Sequence, residues 1–131
     1  MSDSDVPDDL YYTREHHWVR AEDGIAIVGL TDHAQNELGD IVCVELPKRG
    51  ESVRASDEMG AIDSIKTSTE LYAPVSGEIV ETNEKLERSP ELINQDPYGA
   101  GWIVRIRLSD PAELDELLDA EEYCHMVYEG E

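Results

Sequence analysis

The sequence contains no phenylalanine and little positive charge. Its aromatic side chains are two tryptophans and six tyrosines, so isoleucine, valine and leucine must supply most of the core. Lysine and arginine together number 10 against 31 aspartates and glutamates, which gives a formal net charge of -21. Because such a surface repels phosphate, the composition argues strongly against nucleic acid as a partner.

Membrane spans and targeting segments are also missing. No apolar run approaches the roughly 18 residues that a spanning helix needs. The first residues, Met1 to Asp9, are acidic and lack both the basic start and the apolar centre of a signal or transit peptide. We therefore expect a cytoplasmic protein. Two cysteines without a secretory context, Cys43 and Cys124, are expected to be reduced thiols, and the apolar neighbours of Cys43 predict that it is buried.

The length of 131 residues suits one globular domain, 1–131, with residues 1–10 as an acidic, flexible leader. Only three lysines occur, at 48, 66 and 85. A carboxylate-rich, lysine-poor surface over an ordinary core pattern is typical of adaptation to high salt, where screening suppresses self-repulsion. The alternative is an acidic protein without that adaptation.

Short strands separated by turns predict a mainly β fold. The expected strands are a first one spanning Tyr11–Thr13 and His17–Arg20, and others at Ile25–Leu30, Asp40–Leu46, Glu58–Ile62, Glu70–Val75, Glu78–Asn83 and Trp102–Leu108. Short helices are expected at Asp32–Leu38, after the N-cap Thr31, and at Ser89–Ile93. A C-terminal helix is expected over 111–122, because Asp110 and Pro111 form a helix start and three leucines follow at helical spacing.

Enzymatic sites receive little support from the residue pattern. Four histidines are scattered, and the adjacent His16 and His17 would point to opposite faces of a strand, which disfavours a shared zinc ion. Cys43 is a poor candidate nucleophile, because an apolar environment raises the pKa of a thiol. Lys66 remains, at the expected turn of a β-hairpin, where it is either an ordinary solvated lysine or an amine presented for modification.

Several separated motifs decide between these readings of Lys66. The hairpin reads Asp63-Ser64-Ile65-Lys66-Thr67, and the further motifs are Leu71–Gly77, Gly29–Gln35, Leu38–Val42, Val44–Pro47 and Leu92–Trp102. In content and order they resemble the glycine cleavage system H protein family, from about Tyr12 to the C-terminal helix. Lys66 corresponds to the family's lipoyl-lysine.

The resemblance implies a barrel-sandwich hybrid of two antiparallel sheets, with lipoate in amide linkage to Lys66. A protein of this kind is a monomeric carrier and not an enzyme. Its implied partners are the pyridoxal-phosphate (PLP)-dependent glycine decarboxylase, which loads an aminomethyl group, and the tetrahydrofolate-dependent aminomethyltransferase, which removes it. Dihydrolipoyl dehydrogenase then reoxidises the dithiol, and a lipoylating enzyme attaches the arm.

The resemblance also implies a cleft with acidic residues that shelters the loaded arm. Glu70 matches one such acid. The family's first strand usually reads His-Glu-Trp, whereas this chain has His16-His17-Trp18, so a titratable imidazole replaces a second acid. We expect a protonated His17 to repel the loaded amine at low pH. Asp63 stands where glutamate is commoner and keeps an acid for the lipoylating enzyme to recognise.

Three other functions share this pattern. A lipoyl or biotinyl carrier domain of another complex uses the same hairpin, but biotin carriers usually have methionine on both sides of the lysine, where this chain has Ile65 and Thr67. An unmodified binding scaffold and an H-like protein that relays lipoyl groups to other enzymes complete the alternatives.

Overall fold

In a computed structural model the described residues are 6–128, and most of them form β structure. The strands are β1 Tyr11–Tyr12, β2 His17–Glu22, β3 Ile25–Leu30, β4 Ile41–Glu45, β5 Ser52–Val53, β6 Glu58–Ser64, β7 Ser68–Tyr72, β8 Gly77–Thr82 and β9 Val104–Leu108. The helices are α1 Asp32–Leu38, α2 Lys85–Arg88, α3 Leu92–Gln95, a 3-10 helix Pro111–Glu116 and α4 Ala120–Tyr128. Within 6–128, no helix is long and apolar enough to cross a membrane.

The strands form two antiparallel sheets, as the family resemblance implies. One sheet has six strands in the order β1-β2-β3-β9-β8-β5, and the other has three in the order β4-β6-β7. Their facing sides share one apolar core, which includes Val28, Ile106 and Ile79 from the larger sheet and Ile62 and Leu71 from the smaller. This packing gives the Lys66 hairpin, β6–β7, a buried base.

The expected first strand is two antiparallel strands. Tyr11 pairs with Val19 and Tyr12 with Trp18, so the chain reverses between β1 and β2. A tight turn makes the reversal: the His16 amide donates to the Thr13 carbonyl at 3.1 Å, and His16 has a φ of 70°. The sequence contains no glycine here to signal the left-handed residue, which explains why the turn was missed.

Strand β4 departs from the expected buried run. Ile41 pairs with Ser64 and Cys43 with Asp63, so Val42 is an extra residue in a β-bulge. Val42 and Cys43 are consequently both exposed, while Ile41 and Val44 remain in the core. The prediction that Cys43 is buried is wrong, because a bulge breaks the simple alternation of faces. Cys43 and Cys124 are not joined in a disulfide.

The C-terminal helix predicted over 111–122 is two shorter helices. The 3-10 helix begins as expected, with the Asp110 side chain accepting from the Ala112 amide. It ends at Glu116, because Leu118 exchanges two backbone hydrogen bonds with Tyr12, both 2.8 Å, in extended conformation. A new helix then starts at a reciprocal capping box, in which Asp119 and Glu122 each accept the other's amide.

Helix α4 packs on the outer side of the larger sheet, over a second apolar cluster. The rings of Tyr12 and Tyr123 are stacked with centroids 4.7 Å apart, and Trp18 and Val127 lie in the same cluster. The end of the predicted leader belongs to this cluster as well, since Leu10 is only 3% exposed. Val6 and Leu10 therefore pack against the fold, which does not fit a flexible leader at those two positions, and residues 1–5 lie outside the described part.

Candidate functional site

Lys66 is the middle residue of the loop that joins β6 and β7, at the tip of the hairpin. The loop consists of Ile65, Lys66 and Thr67, all exposed. Ser64 fixes its shape: its hydroxyl accepts from the amides of Lys66 and Thr67, both at 3.2 Å, and its own amide donates to the Thr67 carbonyl at 2.8 Å. The predicted position of Lys66, exposed at the turn of a β-hairpin, is confirmed.

The stem of Lys66 lies against the end of helix α1. Its Cε is 3.2 Å, and its Nζ 3.7 Å, from the point that a Cβ on Gly39 would occupy. Gly39 has φ 77° and ψ -156°, a conformation open essentially to glycine alone. Within residues 6–128 the lysine forms no ion pair. The amine is thus presented at the surface without a carboxylate that holds it.

Asn94 braces the connection between α1 and β4 that stands behind the hairpin tip. Its amide group donates to the Gln35 side chain and to the Gly39 carbonyl, both at 2.9 Å, and its oxygen accepts from the Ile41 amide at 2.9 Å. The next residue in that connection, Asp40, accepts from the Ile65 amide at 3.0 Å. One side chain therefore connects α3, α1 and β4 to the loop that carries Lys66.

Asp63 lies on β6, three residues before Lys66, and is half-buried. It pairs with Cys43 across the ladder, and its carboxylate accepts from the Ser68 hydroxyl at 2.6 Å. The side chain joins the two strands at the ladder pair next to the loop that carries Lys66.

Glu70 lies on β7 beside Tyr72, whose hydroxyl is 3.5 Å from a Glu70 carboxylate oxygen. Partial burial, and then the carboxylates of Glu70, Glu58 and Glu15, raise the pKa of Tyr72. Glu15 belongs to the turn between β1 and β2, so a carboxylate of that turn adds to the negative charge felt by Tyr72 on the hairpin. The sequence did not single out Glu15 or Glu58: Glu58 is opposite Tyr72 in the β6–β7 register, whereas the proximity of Glu15 depends on how distant parts of the chain pack.

His17 is placed differently from the expectation. Its side chain is 1% exposed, with Nδ1 3.4 Å from the Thr13 hydroxyl and Nε2 without a hydrogen-bond partner in the described residues. Burial, together with the neighbouring His16, lowers the pKa of His17 to about 4. The imidazole is neutral near neutral pH, so a repelling charge on His17 would require a pH near 4 or below, and the expected loss of shelter at low pH stays a prediction.

Comparisons with known proteins decide the family. The sequence model of the family described as Glycine cleavage H-protein matches residues 10–130. The chain is 54% identical to the glycine cleavage system H protein of Symbiobacterium thermophilum over 97% of its own length and 99% of that protein. The chain belongs to the glycine cleavage H-protein family.

Further relatives agree with this assignment. The H protein of Carboxydothermus hydrogenoformans is 50% identical, with 95% of each chain covered. The crystal structure of the H protein from Mycobacterium marinum has a TM-score of 0.87 and 40% identity, covering 93% of this chain and 98% of that one. The predicted fold and the carrier role of an H protein, rather than an enzyme's, are thereby confirmed.

Proposed function

We propose that Lys66 carries lipoate in amide linkage, and that the loaded arm shuttles an aminomethyl group between the enzymes of glycine cleavage. The observation that carries the proposal is the exposed Lys66 at the centre of a loop whose shape Ser64 fixes. A reactive group on a long arm gains a high effective concentration in each partner's active site once the carrier docks. Because the loop at the hairpin tip is held in one shape, only the attached arm has to move to reach each active site.

The residues around Lys66 suit an acylated side chain. The lysine stem runs over Gly39, where a larger residue would crowd it, and within 6–128 no ion pair has to be broken before the amine reacts. Acylation also removes the positive charge of Lys66. When bound, lipoate would supply a disulfide that accepts the aminomethyl group; the chain supplies its position.

We propose that the acidic surface between the β1–β2 turn and β7 shelters the amine of the loaded arm. Glu70 is the acid expected from the family pattern. Glu15 takes the place of the family glutamate that His17 replaces. The carboxylates of Glu15 and Glu70 both raise the pKa of Tyr72, which supports this assignment. A cationic amine is favoured beside two carboxylates, whereas the neutral, buried His17 supports the surface from within.

The partners proposed are PLP-dependent glycine decarboxylase, tetrahydrofolate-dependent aminomethyltransferase and dihydrolipoyl dehydrogenase. A lipoylating enzyme would recognise Asp63 beside the loop that carries Lys66. We further propose a single carrier domain that acts as a monomer in the cytoplasm. A net charge of -21 keeps copies apart, and thiols that are not joined suit a reducing compartment.

Intact-mass measurement tests the proposal. The protein is incubated with lipoate, ATP and a lipoate ligase, and wild type should gain one lipoyl group that Lys66→Ala does not. Lys85→Ala, which removes a different lysine, is the control and should be lipoylated. The lipoylated protein should then support glycine-dependent release of carbon dioxide by glycine decarboxylase. A wild-type chain that gains no mass would refute the carrier site.

A further inference from the structure

Two exposed apolar side chains occupy positions close to Lys66 in the β4–β6 ladder and its loop. Within residues 6–127, the large hydrophobic side chains that are exposed are Val42, at 54%, and Ile65, at 67%. Ile65 immediately precedes Lys66 in the loop. Val42 follows Ile41, which pairs with Ser64, the residue before Ile65. The two positions are therefore diagonal neighbours across the Ile41–Ser64 pair, where β4 adjoins the hairpin tip.

Local structure accounts for both exposures. Val42 is the extra residue of the β4 bulge, and a bulge can turn a side chain away from the face that alternation would give it. Ile65 is held in the loop by its amide, which donates to the Asp40 carbonyl at 3.0 Å. An ordered backbone thus presents two β-branched side chains to solvent, where a core role would have buried them. Exposed apolar residues gathered at one place indicate a contact surface.

The chain segments that form this surface are rich in carboxylates. No lysine or arginine occurs from Ala21 to Pro47, and within Ala55–Glu84 the only one is Lys66. Exposed carboxylates on the adjoining elements are those of Glu37 on α1, Asp40 before β4 and Glu45 on β4. A protein that fits this surface needs an apolar contact and a basic rim, since like charges would repel it.

We propose that Val42 and Ile65 are the apolar centre of the docking site for the enzyme that acylates Lys66. The inference rests on the proposed function of Lys66. Unmodified lysine ends on a four-carbon stem, so an enzyme that reaches its nitrogen must also cover the neighbouring Ile65 and the adjoining Val42. Partners that act on the far end of an attached arm have no such need. The short reach of the amine therefore favours the lipoylating enzyme as the occupant.

Conservative variants test this docking site. Val42→Thr and Ile65→Thr keep the β-branched shape but place a hydroxyl at the contact. Each should lower kcat/KM for lipoylation by a lipoate ligase with lipoate and ATP by on the order of five- to tenfold, through KM. Asp40→Asn should also raise KM. The control is Val80→Thr, because Val80 is the extra residue of a bulge in β8 of the other sheet.

The outcomes separate the docking site from the carrier function. Thermal melts establish that the variants fold. If wild type and both threonine variants are lipoylated with equal kcat/KM, the docking site is refuted while the carrier function stands. If lipoylation is unchanged but the lipoylated variants are poor substrates for glycine decarboxylase, the assignment of the lipoylating enzyme is overturned. If wild type itself takes no lipoyl group, the proposed function of Lys66 is refuted.

Discussion

The side chain of Lys66 lies over Gly39, and its Cε is 3.2 Å from where a Cβ on that glycine would be. Two separate constraints meet at Gly39: a left-handed backbone at the end of α1 and space for the lysine stem. The first affects folding, and the second affects the presentation of the amine. They can be separated by experiment because the chain has another left-handed glycine with no close neighbour.

Gly39→Ala should lower the free energy of unfolding by roughly 1–3 kcal/mol, the cost of placing a Cβ in this conformation. Gly24→Ala is the matched control, since Gly24 has φ 80° and no atom lies within 4 Å of the point that its Cβ would occupy. Urea unfolding measures the stability of both variants. Only Gly39→Ala should also change the rate at which Lys66 is lipoylated, because only there does the new methyl group displace the lysine. Equal rates in the two variants would contradict the proposed contact.

His17 should make stability depend on pH between about 4 and 6.5. Burial lowers its pKa from 6.5 to about 4 in the folded protein, so in that window the unfolded chain binds the extra proton. The resulting stability is present above pH 6.5 and is lost as the pH falls toward 4. Its size is on the order of 3 kcal/mol at most.

The measurement is urea unfolding at pH 5 and pH 7. His17→Gln should reduce the difference in unfolding free energy between the two pH values, relative to wild type. His125→Gln is the control, because His125 is more than half exposed. Carboxylates contribute to the pH dependence of all three proteins. The test is therefore whether the difference in unfolding free energy between pH 5 and pH 7 is smaller in His17→Gln than in wild type and His125→Gln. An unchanged pH difference in His17→Gln would show that the imidazole is not buried in neutral form.

Glu15 should slow the decay of the aminomethyl-loaded arm. Glu15→Gln and Glu70→Gln should each hasten release of ammonia from the loaded protein by about two- to fivefold, the size expected for exposed ion pairs. Glu22→Gln removes the same charge at the end of β2 and should leave the rate unchanged. If Glu22→Gln has the same effect as Glu15→Gln, net charge and not a local contact controls the decay.

Tyr123 should anchor helix α4 to the rest of the fold. Its hydroxyl is 2.7 Å from Nδ1 of His16 and 2.8 Å from the hydroxyl of Thr31, the N-cap of α1. Tyr123→Phe should cost about 1–3 kcal/mol, because the buried Thr31 hydroxyl and the half-buried His16 ring lose that partner. Tyr12→Phe removes one hydrogen bond to the Pro7 carbonyl and should cost less. Thermal or urea unfolding measures the stability of the two variants. Equal losses of stability would contradict the anchoring role of Tyr123.

Salt should stabilise the protein, in line with the proposed adaptation to high salt. Within residues 6–128 the Lys and Arg ion pairs are the cross-strand pairs Arg105–Glu81 and Arg107–Glu78, which leaves most of the excess carboxylates unpaired. Screening reduces their mutual repulsion, so the melting temperature should rise from low to molar KCl. A melting temperature that does not change would refute the adaptation.

Local patterns predicted much of the fold. Thr31 and Gly39 bound α1 as expected, with Thr31 accepting from the Ala34 amide and the Gly39 amide donating to Gln35. On β9, Val104 and Ile106 are buried while Arg105 and Arg107 pair with glutamates on β8. Caps, turn residues and alternation depend on neighbours along the chain, so the sequence carries them directly.

The errors share one physical cause. The break at Leu118 follows from its pairing with Tyr12, the exposure of Cys43 from the register between β4 and β6, and the burial of His17 from the packing of the two sheets. Each depends on residues distant in the chain, and none of these contacts is visible to helical or strand periodicity. The Asp119–Glu122 capping box was the exception, a local signal within the predicted helix that went unused.

By itself the sequence determined the β hairpin, the position of Lys66 at its tip and the family pattern around it, because turns and motifs are local. Only the tertiary structure decided what surrounds the lysine. The lysine stem lies against Gly39, and the charge of Glu15 acts together with that of Glu70 on Tyr72. His17 is buried, and Val42 is exposed near Ile65. Packing two sheets fixes which distant side chains meet, and that choice shapes how the amine is presented.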